Sequence, residues 1–398
     1  MSIVVAGGGL AALRAVEALR TQGWTGPITV ISDEHDMPYN RPPLSKELLW
    51  GESEEHDLIF ALSEAATEGV EWKLGSGVAS SDLDAKTVTL ASGEVVPFDG
   101  LLVATGVSSR RLSCPGPEKG RTVLRSLSDA RVIREALRPG QRIVILGAGF
   151  IGSEVAATAR KIGCEVDIVA IDKCALFIPL GLEVCSEIQR RHEEAGVRFH
   201  MGHTIVETLG DDRVAGVRLE DGSTLEADLL LETIGSIPNT SWLADNDLDL
   251  VNGVLVDEHF RAGGRRGVVV AGDVARFENP LFASPALRVE HWQTAIDTAA
   301  IAARTLLLDL GAVAEAKPAA PVMPWFWSDQ GATRLTSYGM LGLATRTEIL
   351  EGSLDGECAI GYFRDEEPVG VVLIGLKPKA ARYKRWLANE RKSALVAA

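Results

Sequence analysis

Apolar residues in this chain gather into short β-branched clusters, and two of those clusters open the same sequence of elements. Ser2–Ala6 (SIVVA) runs into Gly7-Gly8-Gly9-Leu10-Ala11-Ala12 and then a helical stretch to about Arg20. Arg142–Leu146 (RIVIL) runs into Gly147-Ala148-Gly149-Phe150-Ile151-Gly152 and a helix to about Ile162. Each helix is followed by another strand, Ile28–Ser32 in the first unit and Glu165–Ile171 in the second. Strand, glycine turn, helix and strand, written twice, predict the βαβ opening of a dinucleotide fold in each unit.

The repetition extends beyond the glycines. Val88–Gly106 (VTLASGEVVPFDGLLVATG) and Val217–Gly235 (VRLEDGSTLEADLLLETIG) share a hairpin turn at Ser92-Gly93 or Asp221-Gly222, an aspartate (Asp99, Asp228), an apolar strand and a closing glycine. Two homologous units are therefore expected, closing near Gly106 and Gly235. A further strand, Gly267–Ala271, ends in Gly272-Asp273, and a helix follows from about Trp292 to Leu308. This piece has no glycine fingerprint of its own and is expected to return to the first unit. A Pro/Ala-rich linker, Gly311–Pro324, leads to a strand-rich tail with a basic end.

Composition narrows the class. A chain of 398 residues, 46% hydrophobic and 24% charged, is globular and long enough for two or three domains. No apolar run reaches the roughly 18–20 residues of a membrane span, and the chain enters a strand at Ile3 without a basic leader. A cytoplasmic protein is expected. The five cysteines (Cys114, Cys164, Cys174, Cys185, Cys358) form no C-x-x-C and read as reduced thiols, with no metal site. A net charge of −15 argues against nucleic-acid binding, because phosphate is repelled.

Glycine is needed in the two turns because the backbone must approach a pyrophosphate more closely than a Cβ permits, and the N–H groups opening the next helix then face the anion. Two copies about 140 residues apart, each between strand and helix, imply two dinucleotides. In the first copy, ending in Ala12, the ribose falls to Asp33 or Glu34 at the end of the next strand. In the second, that strand ends at Ala170 without a carboxylate. Asp172 lies two residues on and could reach the adenosine ribose, while Lys173 could meet a 2′-phosphate. NADH is favoured over NADPH, since Asp172 repels that phosphate and no arginine follows the strand.

The run His35-Asp36-Met37-Pro38-Tyr39-Asn40-Arg41-Pro42-Pro43-Leu44-Ser45-Lys46 is more specific. It resembles the FAD-dependent ferredoxin reductases of bacterial oxygenase systems, which feed Rieske-type aromatic dioxygenases or cytochromes P450. Ala104-Thr105-Gly106, Leu124–Ala130, Gly149–Glu154, Ile234–Asn239, Ala271–Val274, Glu290–Trp292 and Pro324–Gln330 follow in family order. The resemblance implies an α/β fold with two Rossmann-like dinucleotide-binding domains in the glutathione-reductase arrangement, plus a C-terminal α+β domain. The divisions expected are 1–108 and 236–315 for FAD, 109–235 for NAD(P)H, and 320–398.

The resemblance also implies roles for particular residues. Ala11, Asp33 or Glu34, Arg41, Lys46, Val78, Arg125, Asp273 and Trp292 surround FAD, with Arg41 and Arg125 on the pyrophosphate and Asp273 at the ribitol. Lys46 pairs with Glu154 beside the flavin ring, and Trp327 shields that ring. The acid usual at the position of Ala170 is missing, and the tail after Leu310 departs from the family pattern outside Phe326–Gln330.

Tyr39–Lys46 contains no cysteine, so electrons must leave the flavin directly for an external acceptor. A [2Fe–2S] ferredoxin is the expected partner, with a terminal oxygenase served indirectly, and family members occur as monomers or weak dimers. The alternatives are a redox-dependent binding protein resembling apoptosis-inducing factor, and an NADH oxidase or rubredoxin reductase. Lys377, Lys379, Arg382, Lys384, Arg385, Arg391 and Lys392 against Glu390 alone form a basic run that could steer an acidic ferredoxin.

Overall fold

The computed structural model describes residues 1–314 and 322–397, with backbone alone for 394–397. Residues 315–321 of the Pro/Ala-rich linker lie outside the described residues.

Ile3–Ala6 is buried at every position, because parallel strands flank it and side chains cover both faces of its sheet. That sheet runs, in spatial order, Val268–Val270, Gly100–Val103, Ile3–Ala6, Ile28–Ile31, Val70–Lys73, all parallel. A second parallel sheet repeats the order with Arg121–Val123, Leu229–Glu232, Arg142–Leu146, Glu165–Ala170 and Val197–Met201. Registers correspond too: Ile3 sits between Ile28 and Gly100, and Ile143 between Val166 and Leu229. The repeat seen in the sequence is thus a repeat in three dimensions.

In each unit the turn after the central strand has the same steric requirement. Gly7 has φ +115° and a Cβ there would lie 2.2 Å from the Ala104 carbonyl oxygen. Gly147 has φ +104° and a Cβ would lie 2.4 Å from that of Thr233. Only glycine fits either place.

The chain leaves the first sheet through Val107–Ser109 and comes back through Ser236–Pro238, which pair antiparallel. The strand Val268–Val270 then joins the edge of the first sheet against Gly100–Val103. The helix Trp292–Asp309 packs on Leu10–Thr21, where small buried residues (Ala12 and Ala15; Ala299 and Ala302) allow the two backbones to come close. The C-terminal part is an antiparallel sheet in the order Trp325–Gln330, Thr333–Gly339, Glu367–Ile374, Cys358–Arg364, Arg346–Gly352. The helix Ala380–Ala397 lies against it through Tyr383 and Leu387. Among the described residues, no helix is long and apolar enough to cross a membrane.

Two expectations are corrected. Cys174 and Cys185 are joined by a disulfide, while Cys114, Cys164 and Cys358 are free. A left-handed Leu176 precedes the helix Phe177–Glu194, which is kinked at Gly181, and the two Cα atoms lie 6.0 Å apart, a proximity their spacing did not announce. The basic run is also smaller than its residue list. Arg391 is buried, donating to the Leu281 carbonyl (2.9 Å) and to Glu367 (2.7 Å), and Lys379 is paired with Glu351. Lys377, Arg382, Lys384, Arg385 and Lys392 remain exposed, Arg382 with its Nη1 3.7 Å from Glu351.

Candidate functional site

The first glycine turn opens onto a cavity of about 1180 Å³, above the roughly 300–1,000 Å³ of ordinary small-molecule sites. Its wall takes Gly7, Gly9, Leu10 and Ala11 from the turn and the helix start, and Asp33 and Glu34 from the end of the next strand. Arg41, Val78, Ala104, Thr105, Gly106, Arg125, Gly272, Asp273 and Trp292 line it from the other segments. Ile151 and Glu154 reach it from the helix Phe150–Ile162 of the second unit. Ala12 stands behind the wall in the core.

The wall suits a long anionic ligand. Gly9 has room for a Cβ, whose nearest neighbour would be Arg41 Nη2 at 3.9 Å, so the fold alone does not demand glycine there. The start of the helix Leu10–Thr21 faces this space. Arg41 is paired with Glu34 and donates to Tyr39 Oη (3.0 Å), and Arg125 Nη2 lies 3.0 Å from Asp273 Oδ2. Glu34 is thus engaged by an arginine, whereas Asp33 is exposed at the rim. Burial, followed by the Glu34 charge, raises the Tyr39 phenol, so it keeps its proton and donates to Glu34 (2.5 Å).

Glu154 is the best-connected side chain of the site. Its Oε2 accepts from Lys46 Nζ (2.7 Å) and Ser45 Oγ (2.6 Å); its Oε1 accepts from Ser328 Oγ (2.5 Å) and the Asp329 N–H (3.3 Å). All of Lys46, Ser45, Glu154 and Ser328 are buried. The 3₁₀ turn Pro42–Ser45, the helix Phe150–Ile162 and the strand Trp325–Gln330 therefore meet on one carboxylate. Four donors converge on it.

Trp292 lines the cavity and donates to Asn40 Oδ1 (3.1 Å). Trp327 stands one ring further out, edge-on to Trp292 with centroids 6.1 Å apart. Beside them His291 packs on Phe326, its Nδ1 without a hydrogen-bond partner, and burial pushes its pKa down to about 4.

The second cradle has the same build. Gly149 is the N-cap of Phe150–Ile162, and a Cβ on it would meet nothing within 4 Å. Gly152 sits one turn in, against Thr233, and Gly235 closes the unit with φ +98°. Asp172 is half-buried and Lys173 exposed, both just past the end of Glu165–Ala170. Neither Cys174 nor Cys185 lines the cavity.

Sequence reasoning gave no role to Ser45, Ser328, Gln330, Tyr39 or Asn239. All five lie inside the runs that carried the resemblance, which was the available signal. Asn239 stitches the returning chain to the cavity wall, donating to the Thr105 carbonyl (2.9 Å) and accepting from Ser108 Oγ (2.7 Å).

Residues 1–299 match the family described as pyridine nucleotide-disulphide oxidoreductase, and residues 325–398 match the reductase C-terminal family. The anthranilate 1,2-dioxygenase system ferredoxin–NAD(+) reductase component of Burkholderia cepacia is 35% identical, over 88% of this chain and 84% of its own length. The corresponding component of the p-cumate 2,3-dioxygenase system of Pseudomonas putida is 33% identical, over 97% and 92%. The crystal structure of the covalent putidaredoxin reductase–putidaredoxin complex is similar with a TM-score of 0.91 and 28% identity, covering 99% of this chain and 95% of that one.

Proposed function

The chain belongs to the pyridine nucleotide-disulphide oxidoreductase family, and we propose that it takes electrons from NADH onto FAD and hands them singly to a ferredoxin of a bacterial oxygenase system. The main support is Glu154, which lines the first cavity from the helix of the second cradle and holds Lys46 just behind that wall. A group shared by both nucleotide sites is what a transfer between two dinucleotides needs.

Bound FAD supplies the ability to accept two electrons together and release them one at a time. The chain's own residues do the rest. The glycine turn at Gly7–Gly9 and the start of Leu10–Thr21 receive the FAD pyrophosphate, with Arg41 and Arg125 neutralising it. Asp33 takes the ribose hydroxyls, since Glu34 is held by Arg41, and Asp273 takes the ribitol. Lys46 places a fixed positive charge where reduced flavin carries negative charge, and Glu154 keeps that lysine from wandering. Trp292 closes the inner side and Trp327 the outer. Gly147, Gly149, Ile151 and Gly152 form the NADH cradle, with Gly235 behind it and Asp172 on the adenosine ribose. That carboxylate disfavours NADPH.

The same reading divides the chain into 1–108 and 236–315 around FAD, 109–235 around NADH, and 320–398 toward the partner. The partner is a [2Fe–2S] ferredoxin that serves a terminal oxygenase, met at the exposed Lys384 and Arg385 by a monomeric or weakly dimeric cytoplasmic enzyme.

The test is stopped-flow reduction of the yellow protein by NADH and by NADPH, followed by cytochrome c reduction with and without a [2Fe–2S] ferredoxin. Fast bleaching by NADH and cytochrome reduction that requires the ferredoxin are expected. Fast bleaching with no effect from several ferredoxins would overturn the assignment of the partner.

A further inference from the structure

Behind Glu154 runs a line of buried polar side chains that the electron-transfer reading leaves unused. Ser328 Oγ donates to Glu154 Oε1 (2.5 Å), so its lone pairs are free for Gln330 Nε2, which donates to it at 2.7 Å. Gln330 Oε1 then faces His192 Nε2 at 2.9 Å. Ser328, Gln330 and His192 are 1%, 4% and 3% exposed. Buried polar groups in this number are costly unless each is satisfied, and here each satisfies the next.

The direction of the line follows from its end. A carboxylate can only accept, so Ser328 must donate to it; Ser328 then accepts from the Gln330 amide, and the Gln330 carbonyl accepts from the imidazole N–H. Burial disfavours the charged imidazole, which leaves His192 neutral with its proton on Nε2. The chain of donors thus starts on the helix Phe177–Glu194, crosses the strand Trp325–Gln330 and ends on the carboxylate that holds Lys46.

We propose that Ser328 and Gln330, backed by His192, are positioning residues for the Lys46–Glu154 pair and set how much of the lysine's charge is available to FAD. The inference rests on the reading that Lys46 lies beside the flavin. Donation from Ser328 draws off part of the carboxylate's negative charge, so Glu154 grips Lys46 less tightly. Without that donor Glu154 holds the lysine more closely, reduced flavin loses stabilisation, and the flavin potential falls.

The experiment uses FAD-loaded protein and measures the flavin midpoint potential, its visible spectrum, and kcat and KM for NADH. Ser328→Ala is expected to weaken reduction tenfold at equilibrium, about 30 mV for a two-electron couple. It should also slow flavin reduction about tenfold, with KM for NADH within twofold. Ser328→Thr, which keeps the hydroxyl, should restore both to within threefold, and Gln330→Met should give a smaller shift in the same direction.

Lys46→Met runs in parallel. If it leaves the potential and spectrum unchanged, the reading of Lys46 fails and the proposal with it. If Lys46→Met lowers the potential but Ser328→Ala and Gln330→Met do not, the positioning role alone is overturned. It is also overturned if Thr at 328 behaves as Ala does. Should Ser328→Ala fail to fold, Gln330→Met decides by the same criterion.

Discussion

Replacing Gly149 with alanine should separate nucleotide binding from folding. Gly149 has an ordinary backbone (φ −79°, ψ −174°), and a Cβ on it meets nothing within 4 Å. Stability should change by at most about 1 kcal/mol, since alanine caps a helix less well than glycine but also restricts the unfolded chain. The open space is where a pyrophosphate must come for the first N–H groups of Phe150–Ile162 to reach it. A methyl group there holds the anion off. Losing one charge-assisted hydrogen bond, at about 1.5–3 kcal/mol, gives a loss of roughly 10- to 150-fold in Kd for NADH.

The assay is the NADH concentration dependence of flavin bleaching, read beside Tm from circular dichroism. Gly147→Ala is the contrasting variant, because its positive φ and the Thr233 carbonyl 2.4 Å away make it costly to the fold itself. A Gly149→Ala protein with unchanged Tm and a Kd within threefold of the parent would refute the assignment of this turn to a pyrophosphate.

His291 should make the protein acid-sensitive. Its native pKa is about 4 against about 6.5 when unfolded, so the unfolded chain binds the extra proton. Stability is then complete above pH 6.5 and lost as pH falls toward 4, by about 2 kcal/mol at pH 5. His291→Leu should reduce the difference in urea stability between pH 7 and pH 5 by that amount, and an unaltered difference would refute this. Reversing Lys384 and Arg385 to glutamate should raise the KM for ferredoxin about tenfold and weaken its salt dependence; no change in either removes the docking face. Asp172→Ser should raise the KM for NADH and narrow the NADH-over-NADPH preference about tenfold, measured as the ratio of kcat/KM; an unchanged ratio would show that Asp172 does not read the ribose.

The glycine turns, the paired hairpins and the returning strand are legible in the sequence because each is local, with requirements written within a dozen neighbouring residues. Lys46–Glu154 is different. The two lie 108 positions apart, and only the resemblance to a family joins them. Nothing local marks Ser328 as a partner of Glu154, since their meeting depends on how the C-terminal sheet seats against Phe150–Ile162. The basic run shows the opposite error. Seven cations read as one face, yet Arg391 turns inward to the Leu281 carbonyl, because helical periodicity gives every long helix an inner side. The disulfide escapes for a similar reason: a left-handed Leu176 and a break in the helix at Gly181 both lie between Cys174 and Cys185, and a left-handed leucine has no clear signature in the sequence.

The displaced edge strand of the first sheet has a consequence for how the protein is made. Gly100–Val103 must wait for Val268–Val270, and the helix Leu10–Thr21 must wait for Trp292–Asp309. At about 5–20 residues per second, the roughly 160 residues between Gly106 and Val268 take about 8–30 s to leave the ribosome. The strands of the second sheet, from Arg121–Val123 to Leu229–Glu232, emerge within that interval and can close without anything downstream. The middle of the chain is therefore expected to mature before its beginning. Throughout the delay, the first-made half presents an open strand edge and an uncovered apolar helix to solvent, which makes that nascent segment the natural client for a chaperone.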